Sequence, residues 1–164
     1  MRNIKVLEKV NVVSIQLVKE RSLAYGSKRI NCPQDAASIV GDFLAGADRE
    51  HFVVICLDTK NNVNALNTVS VGTLNSSLVH PREVFKAAIL ANSNGIILSH
   101  NHPSGDPTPS REDLEITKRL AEVGKIMGIE VIDHVVIGDN GKYVSFQERG
   151  VLKEAEIALD GECG

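Results

Sequence analysis

Two short runs, Phe52-Val-Val-Ile-Cys-Leu57 and Gly95-Ile-Ile-Leu98, carry no polar side chain at all. A strand with one wet face alternates polar and apolar residues, so unbroken runs of this length describe strands covered on both faces. Such strands need a layer above and a layer below. The intervening sequence supplies candidates for both layers. From Pro33, suited to a first helical turn, Ala36, Ala37, Ile39, Val40, Phe43 and Leu44 recur at helical spacing until Gly46. Pro81 opens a second helix with Val84, Phe85, Ala88 and Ile89 on one face, stopped at residues 92–95, and Ile116, Leu120, Val123 and Met127 mark a third that Gly128 closes.

The remaining strands follow from the same periodicities. Asp58-Thr-Lys-Asn-Asn62 turns the first run into a strand over residues 63–71, forming a hairpin, and residues 129–137 read as a strand before an Asp139-Asn-Gly141 turn into Tyr143-Val-Ser-Phe146. Val13, Ile15 and Leu17 alternate with Ser14, Gln16 and Val18, which predicts a further edge strand over residues 10–18. The expected fold is α/β (α+β), a mixed β-sheet flanked by helices. Three segments are expected: a basic N-terminal segment with the edge strand (1–30), the domain (31–147) and an acidic C-terminal tail (148–164).

Composition narrows the setting. With 43% hydrophobic and 24% charged residues in 164, the chain resembles an ordinary globular domain with a real core. No apolar run approaches the roughly 20 residues of a membrane span, and no signal-peptide pattern opens the chain, so a cytoplasmic protein without membrane contact is expected. Cys32, Cys56 and Cys163 form neither a disulfide framework nor a Cys-x-x-Cys metal site, and Cys56 belongs to the core. The net charge of −3 hides a +5 segment over residues 1–30. Arg2, Lys5, Lys9, Lys19, Arg21, Lys28 and Arg29 could meet phosphate, but the acidic remainder limits DNA to weak, non-specific contact.

The chemistry concentrates in Ser99-His-Asn-His-Pro-Ser-Gly-Asp-Pro-Thr-Pro-Ser-Arg-Glu-Asp113. Alternate side chains of an extended backbone point the same way, so His100 and His102 at a strand end can converge, and paired imidazoles suit zinc. Asp113, at the start of the next helix, is the best-placed third ligand, although Ser110-x-x-Asp113 also matches a helix-capping pattern. A loop stiffened by Pro103, Pro107 and Pro109 and turned at Gly105 can bring the chain back to the metal. Spacing alone leaves the general base open among Glu50, Asp58, Glu83, Glu115 and Asp133. His80 reads as a helix-entry residue. Of the pair Asp133-His134, the histidine reads as a core or edge strand residue rather than a neighbour of the metal.

The stretch from His100 through Asp113 resembles the JAMM signature of the JAB/MPN metalloprotease superfamily, and specifically the RadC family, once linked to DNA repair. The likeness extends over residues 30–147, through Glu50-His-Phe-Val-Val-Ile-Cys-Leu-Asp58, Gly72-Thr-Leu-Asn75, His80-Pro-Arg-Glu-Val-Phe-Lys86, Asp133-His134 and Ser145. The resemblance implies a JAMM/MPN, cytidine-deaminase-like fold with Zn2+ held by His100, His102 and Asp113. It implies Glu50 as the catalytic base acting on a metal-activated water and Ser110 as donor to the developing oxyanion, with a peptide or protein as substrate. The deaminase pattern of His-x-Glu with a later Pro-Cys-x-x-Cys is missing, so a similar fold does not carry deaminase chemistry. Residues 1–30 are too short for the helix-hairpin-helix module of full-length RadC proteins, and a DNA role of that module is not expected here.

Overall fold

In the computed structural model, which describes residues 9–72 and 79–153, the two polar-free runs lie side by side in the middle of one sheet. They are β1 (His51–Leu57) and β3 (Gly95–Asn101). With β2 (Val63–Val71), β4 (Glu130–Ile137) and β5 (Tyr143–Ser145) they form a mixed five-stranded sheet in the order β2-β1-β3-β4-β5. Only β3 and β4 run parallel. A parallel pair cannot be closed by a tight turn, and the crossover is α3 (Arg111–Met127).

Both sheet faces are covered, which is why β1 and β3 carry no polar alternation. Phe52, Val54 and Cys56 of β1 and Ile96 and Leu98 of β3 pack against Val84, Phe85 and Ala88 of α2 (Pro81–Leu90) and Ile116 and Leu120 of α3. Their alternates Ile55, Leu57 and Ile97, with Val135 and Ile137 of β4, meet Ala36, Ala37, Ile39 and Val40 of α1 (Pro33–Phe43). In β4 the pairing with β3 slips by one residue: Ile96 pairs with Val131 but Ile97 with Asp133. Ile132 is the extra residue and leans on the α1 layer. The slip changes the parity of everything after it, so Val131 and His134 both face α2 and α3 despite their odd separation.

The predicted elements from residue 33 to 146 form, with small corrections. Ile89 and Met127, assigned to apolar helix faces, are 49% and 43% exposed, and Ala87 is buried instead. The turn at Asp139–Gly141 is a single 3-10 turn, with Asn140 in the left-handed region. The edge strand expected over residues 10–18 does not form. Val10, Val12, Val13 and Ile15 are 74–99% exposed, and upstream pairing ends at a bridge between Arg29 and Asn62. That antiparallel bridge sets Lys28 against Val63, so continuing it would place residue 20 opposite Val71, the last residue of β2. Residues 10–18 lie past the end of the strand they would need, and alternation without a partner does not make a strand. The acidic tail beyond Lys153 and residues 73–75 of the upstream likeness lie outside the described residues. Among those described, no helix is long and apolar enough to cross a membrane.

Candidate metal centre

The carboxyl end of β3 and the amino end of α3 meet at one point. His100 continues the face of Leu98 towards α3, and His102 follows just beyond the strand. Ser110 caps α3: its hydroxyl accepts from Asp113 N–H at 3.1 Å, and the Asp113 carboxylate accepts from Ser110 N–H at 2.7 Å. The capping pattern and the ligand reading are therefore the same structure. The cap places Asp113 Oδ1 3.3 Å from His100 Nε2 and Oδ2 3.6 Å from His102 Nε2. The two Nε2 atoms are 3.0 Å apart, and Glu50 Oε1 is 3.8 Å from that of His100. One ligand atom from each of Glu50, His100, His102 and Asp113 falls within 4.8 Å of the others. His100 and Asp113 are buried, whereas the side chains of His102 and Glu50 keep 17% exposure, so the cluster opens to solvent on their side.

The donor set fits a cation. The Asp113 carboxylate accepts from the Ser110 N–H at 2.7 Å, a hydrogen bond that favours its ionised form. His102 Nδ1 faces the Asp106 carbonyl at 2.8 Å, and a carbonyl only accepts, so the hydrogen is on Nδ1 and the lone pair of Nε2 faces the cluster. Carboxylate and imidazole acceptors converging without a proton of their own call for a metal ion between them.

The surroundings fix each member. Asn101, between the two histidines, accepts from His51 N–H at 2.8 Å and donates to the Arg49 carbonyl at 3.0 Å, clamping the backbone on both sides of Glu50. Gly72 N–H adds a bond to the Glu50 carbonyl at 2.8 Å. The loop after His102 is pinned to the end of β4 by His102 N–H on the Ile137 carbonyl and Asp139 N–H on the Gly105 carbonyl, at 2.8 and 2.9 Å. Gly105 has φ +81°, and a Cβ there would run into the Asp139 carboxylate. Within the loop, hydrogen bonds from Thr108 hold the Asp106 carboxyl below its usual range.

His134 is where the sequence reading needs correction. Rather than an ordinary strand histidine, it is fully buried with Nε2 2.8 Å from His100 Nδ1 and Nδ1 2.5 Å from Thr117 Oγ1. Burial pushes it well below the usual histidine range, and the rings of Phe52 and Phe146 enclose it. Its neighbour Asp133 instead accepts from Ser145 Oγ, His134 N–H and Gln147 N–H at 2.6, 2.7 and 2.9 Å. The other candidates for base lie elsewhere: Asp58 closes the β1–β2 turn, Glu83 pairs with Lys86 and Glu115 with Arg111. His80 caps α2, accepting from Arg82 N–H at 3.2 Å, and Cys56 is core, both as expected.

A mixed sheet covered on both faces, with a strand-end His-x-His meeting a helix-cap aspartate, defines a JAMM-like α/β domain with a candidate metal site. Residues 30–151 match the family model described as the RadC-like JAB domain, and the chain belongs to that family. It is 62% identical over 123 residues to a UPF0758 protein of Desulfitobacterium hafniense and 56% identical over the same length to one of Desulforamulus reducens; each alignment covers 75% of this chain and 54% of the relative. A UPF0758 protein of Rubrobacter xylanophilus is 50% identical over 143 residues, 86% of this chain and 62% of the relative. The chain thus spans about half the length of the first two relatives.

Proposed function

We propose that this domain is a zinc-dependent hydrolase of JAMM type that cleaves a peptide or isopeptide amide. The observation that carries the reading is the convergence of two imidazoles and a buried carboxylate beside an exposed-side glutamate. His100, His102 and Asp113 hold the ion, three protein ligands being the usual number where one position is left for chemistry. Bound there, zinc supplies a Lewis acid that brings water towards ionisation near neutral pH and polarises an amide carbonyl. Glu50 takes a proton from the attacking water at Oε1 and passes it to the leaving amine, held in reach by the Asn101 clamp on its backbone. Ser110, at the exposed rim next to Asp113, turns its hydroxyl to the developing oxyanion.

The test starts with elemental analysis of protein purified without added metal, where about one zinc per chain is expected. A screen of peptides and isopeptide-linked conjugates then provides a substrate. Glu50→Gln should keep the zinc and lose hydrolysis by at least the roughly 10²–10⁴-fold that acid–base catalysis supplies. His100→Ala should lose metal and activity together. Glu50→Gln at the wild-type rate would overturn the assignment of the base, and a chain that takes up no zinc would overturn the centre.

A further inference from the structure

The hydrogen bonds behind His100 have a direction that can be derived from one proton. Thr117 Oγ1 lies 2.5 Å from the Asp113 carbonyl oxygen and 2.5 Å from His134 Nδ1. A hydroxyl owns a single hydrogen, and a carbonyl can only accept. Two oxygens so close need that hydrogen between them, so Thr117 donates to Asp113. Towards His134 it can then only accept, which puts the hydrogen on His134 Nδ1. As a neutral imidazole has one N–H, His134 Nε2 is bare and accepts from His100 Nδ1–H across 2.8 Å. His100 is left with its lone pair on Nε2, aimed at His102 and the Asp113 carboxylate.

We propose that Thr117 and His134 are positioning residues: they impose on His100 the tautomer that presents a bare Nε2 to a cation. The relay is a closed ring, because it starts at the main-chain carbonyl of Asp113 and ends facing the carboxylate of the same residue. The opposite tautomer would put an N–H where the ion belongs. Phe52, stacked 6.1 Å from the His100 ring, and Phe146 beside His134 shield the relay from water, which could otherwise supply a substitute partner. This inference rests on the metal-centre part of the proposed function and is independent of whether the domain hydrolyses anything.

Two measurements decide it. Long-range proton–nitrogen NMR of the histidine rings in the metal-free protein should show hydrogen on Nδ1 of both His100 and His134. Zinc affinity, by competition with a chelating dye, should fall roughly 10–100-fold in Thr117→Val, which keeps the shape and removes the acceptor, while the His134 ring shifts towards its Nε2–H form. Thr117→Ser, which restores the hydroxyl, should recover both signals. An Nδ1 without hydrogen on either histidine of the wild type, or wild-type zinc affinity in a folded Thr117→Val, overturns the relay. If Thr117→Val does not fold, the wild-type NMR result still decides. A wild type that binds no zinc sinks the centre proposed above, and the tautomers then stand or fall on their own spectra.

Discussion

Asp133 holds the start of the turn that follows β5 with a carboxylate that accepts three hydrogen bonds, yet its surroundings work against its charge. Burial raises its pKa above the ordinary carboxylate value, and the bonds from Ser145, Gln147 and His134 offset this only in part. The folded chain therefore binds this proton more tightly than the unfolded one. The Asp133 contribution to stability is then fullest below the unfolded pKa of about 4 and declines as pH rises through the higher folded value. Asp133→Asn keeps an oxygen for the N–H groups of His134 and Gln147 and removes the titration. Urea midpoints of the metal-free proteins between about pH 4 and 7 should show the advantage of wild type over variant shrinking as pH rises. A difference constant across that range would contradict the assignment. At this scale the sequence was readable where like chemistry crowds together: His100, His102 and Asp113 stand within fourteen residues and do converge in the fold. Asn101 was not, because an amide between two histidines carries no signature until its partners, Arg49 and His51, are known to lie at the start of the adjacent strand.

Among the elements, the β3–α3–β4 unit does most of the site building, since it carries His100, His102, Asp113, Thr117 and His134. Its helix was legible from a 3.6-residue period and a capping pattern, and β3 from an unbroken apolar run. What could not be read was which β4 residue reaches His100, because that depends on a one-residue slip against β3 that leaves no mark in composition. Residues 10–18 show the converse failure, a clean period with no partner strand at that place. The loop inside the unit is held by close backbone approach at Gly105 rather than by apolar packing. Gly105→Ala puts a side chain at φ +81° and makes the Asp139 carboxylate move aside, so we expect the backbone strain to cost about 1–3 kcal/mol in chemical denaturation and to weaken zinc binding through His102. Unchanged stability and affinity would mean that the loop does not depend on this contact.

For the molecule as a whole, the exposed N-terminal stretch should be dispensable to the fold. Its described residues up to 20 make no ladder with the sheet, whereas Arg21 lies 5.1 Å over the Phe43 ring and Ile30 is core. Deleting residues 1–20 should thus leave the thermal midpoint and zinc content unchanged while removing four of the basic residues offered to phosphate. Any weak DNA retention at low salt should drop with it, and a lower midpoint would show that the stretch contributes packing after all. The slip at Ile132 bears on the molecule in another way. Ahead of His134 and Asp133, neighbours on opposite faces of one strand, chain length acts as a reading frame: many substitutions there can be absorbed by repacking, but losing or gaining a single residue would exchange the two faces. The carboxylate that ties down Ser145 would be presented to His100, and the imidazole that supports His100 would be turned to the α1 layer. Variation in this strand is thus expected to come as replacements at constant length, with insertions and deletions confined to the turns on either side.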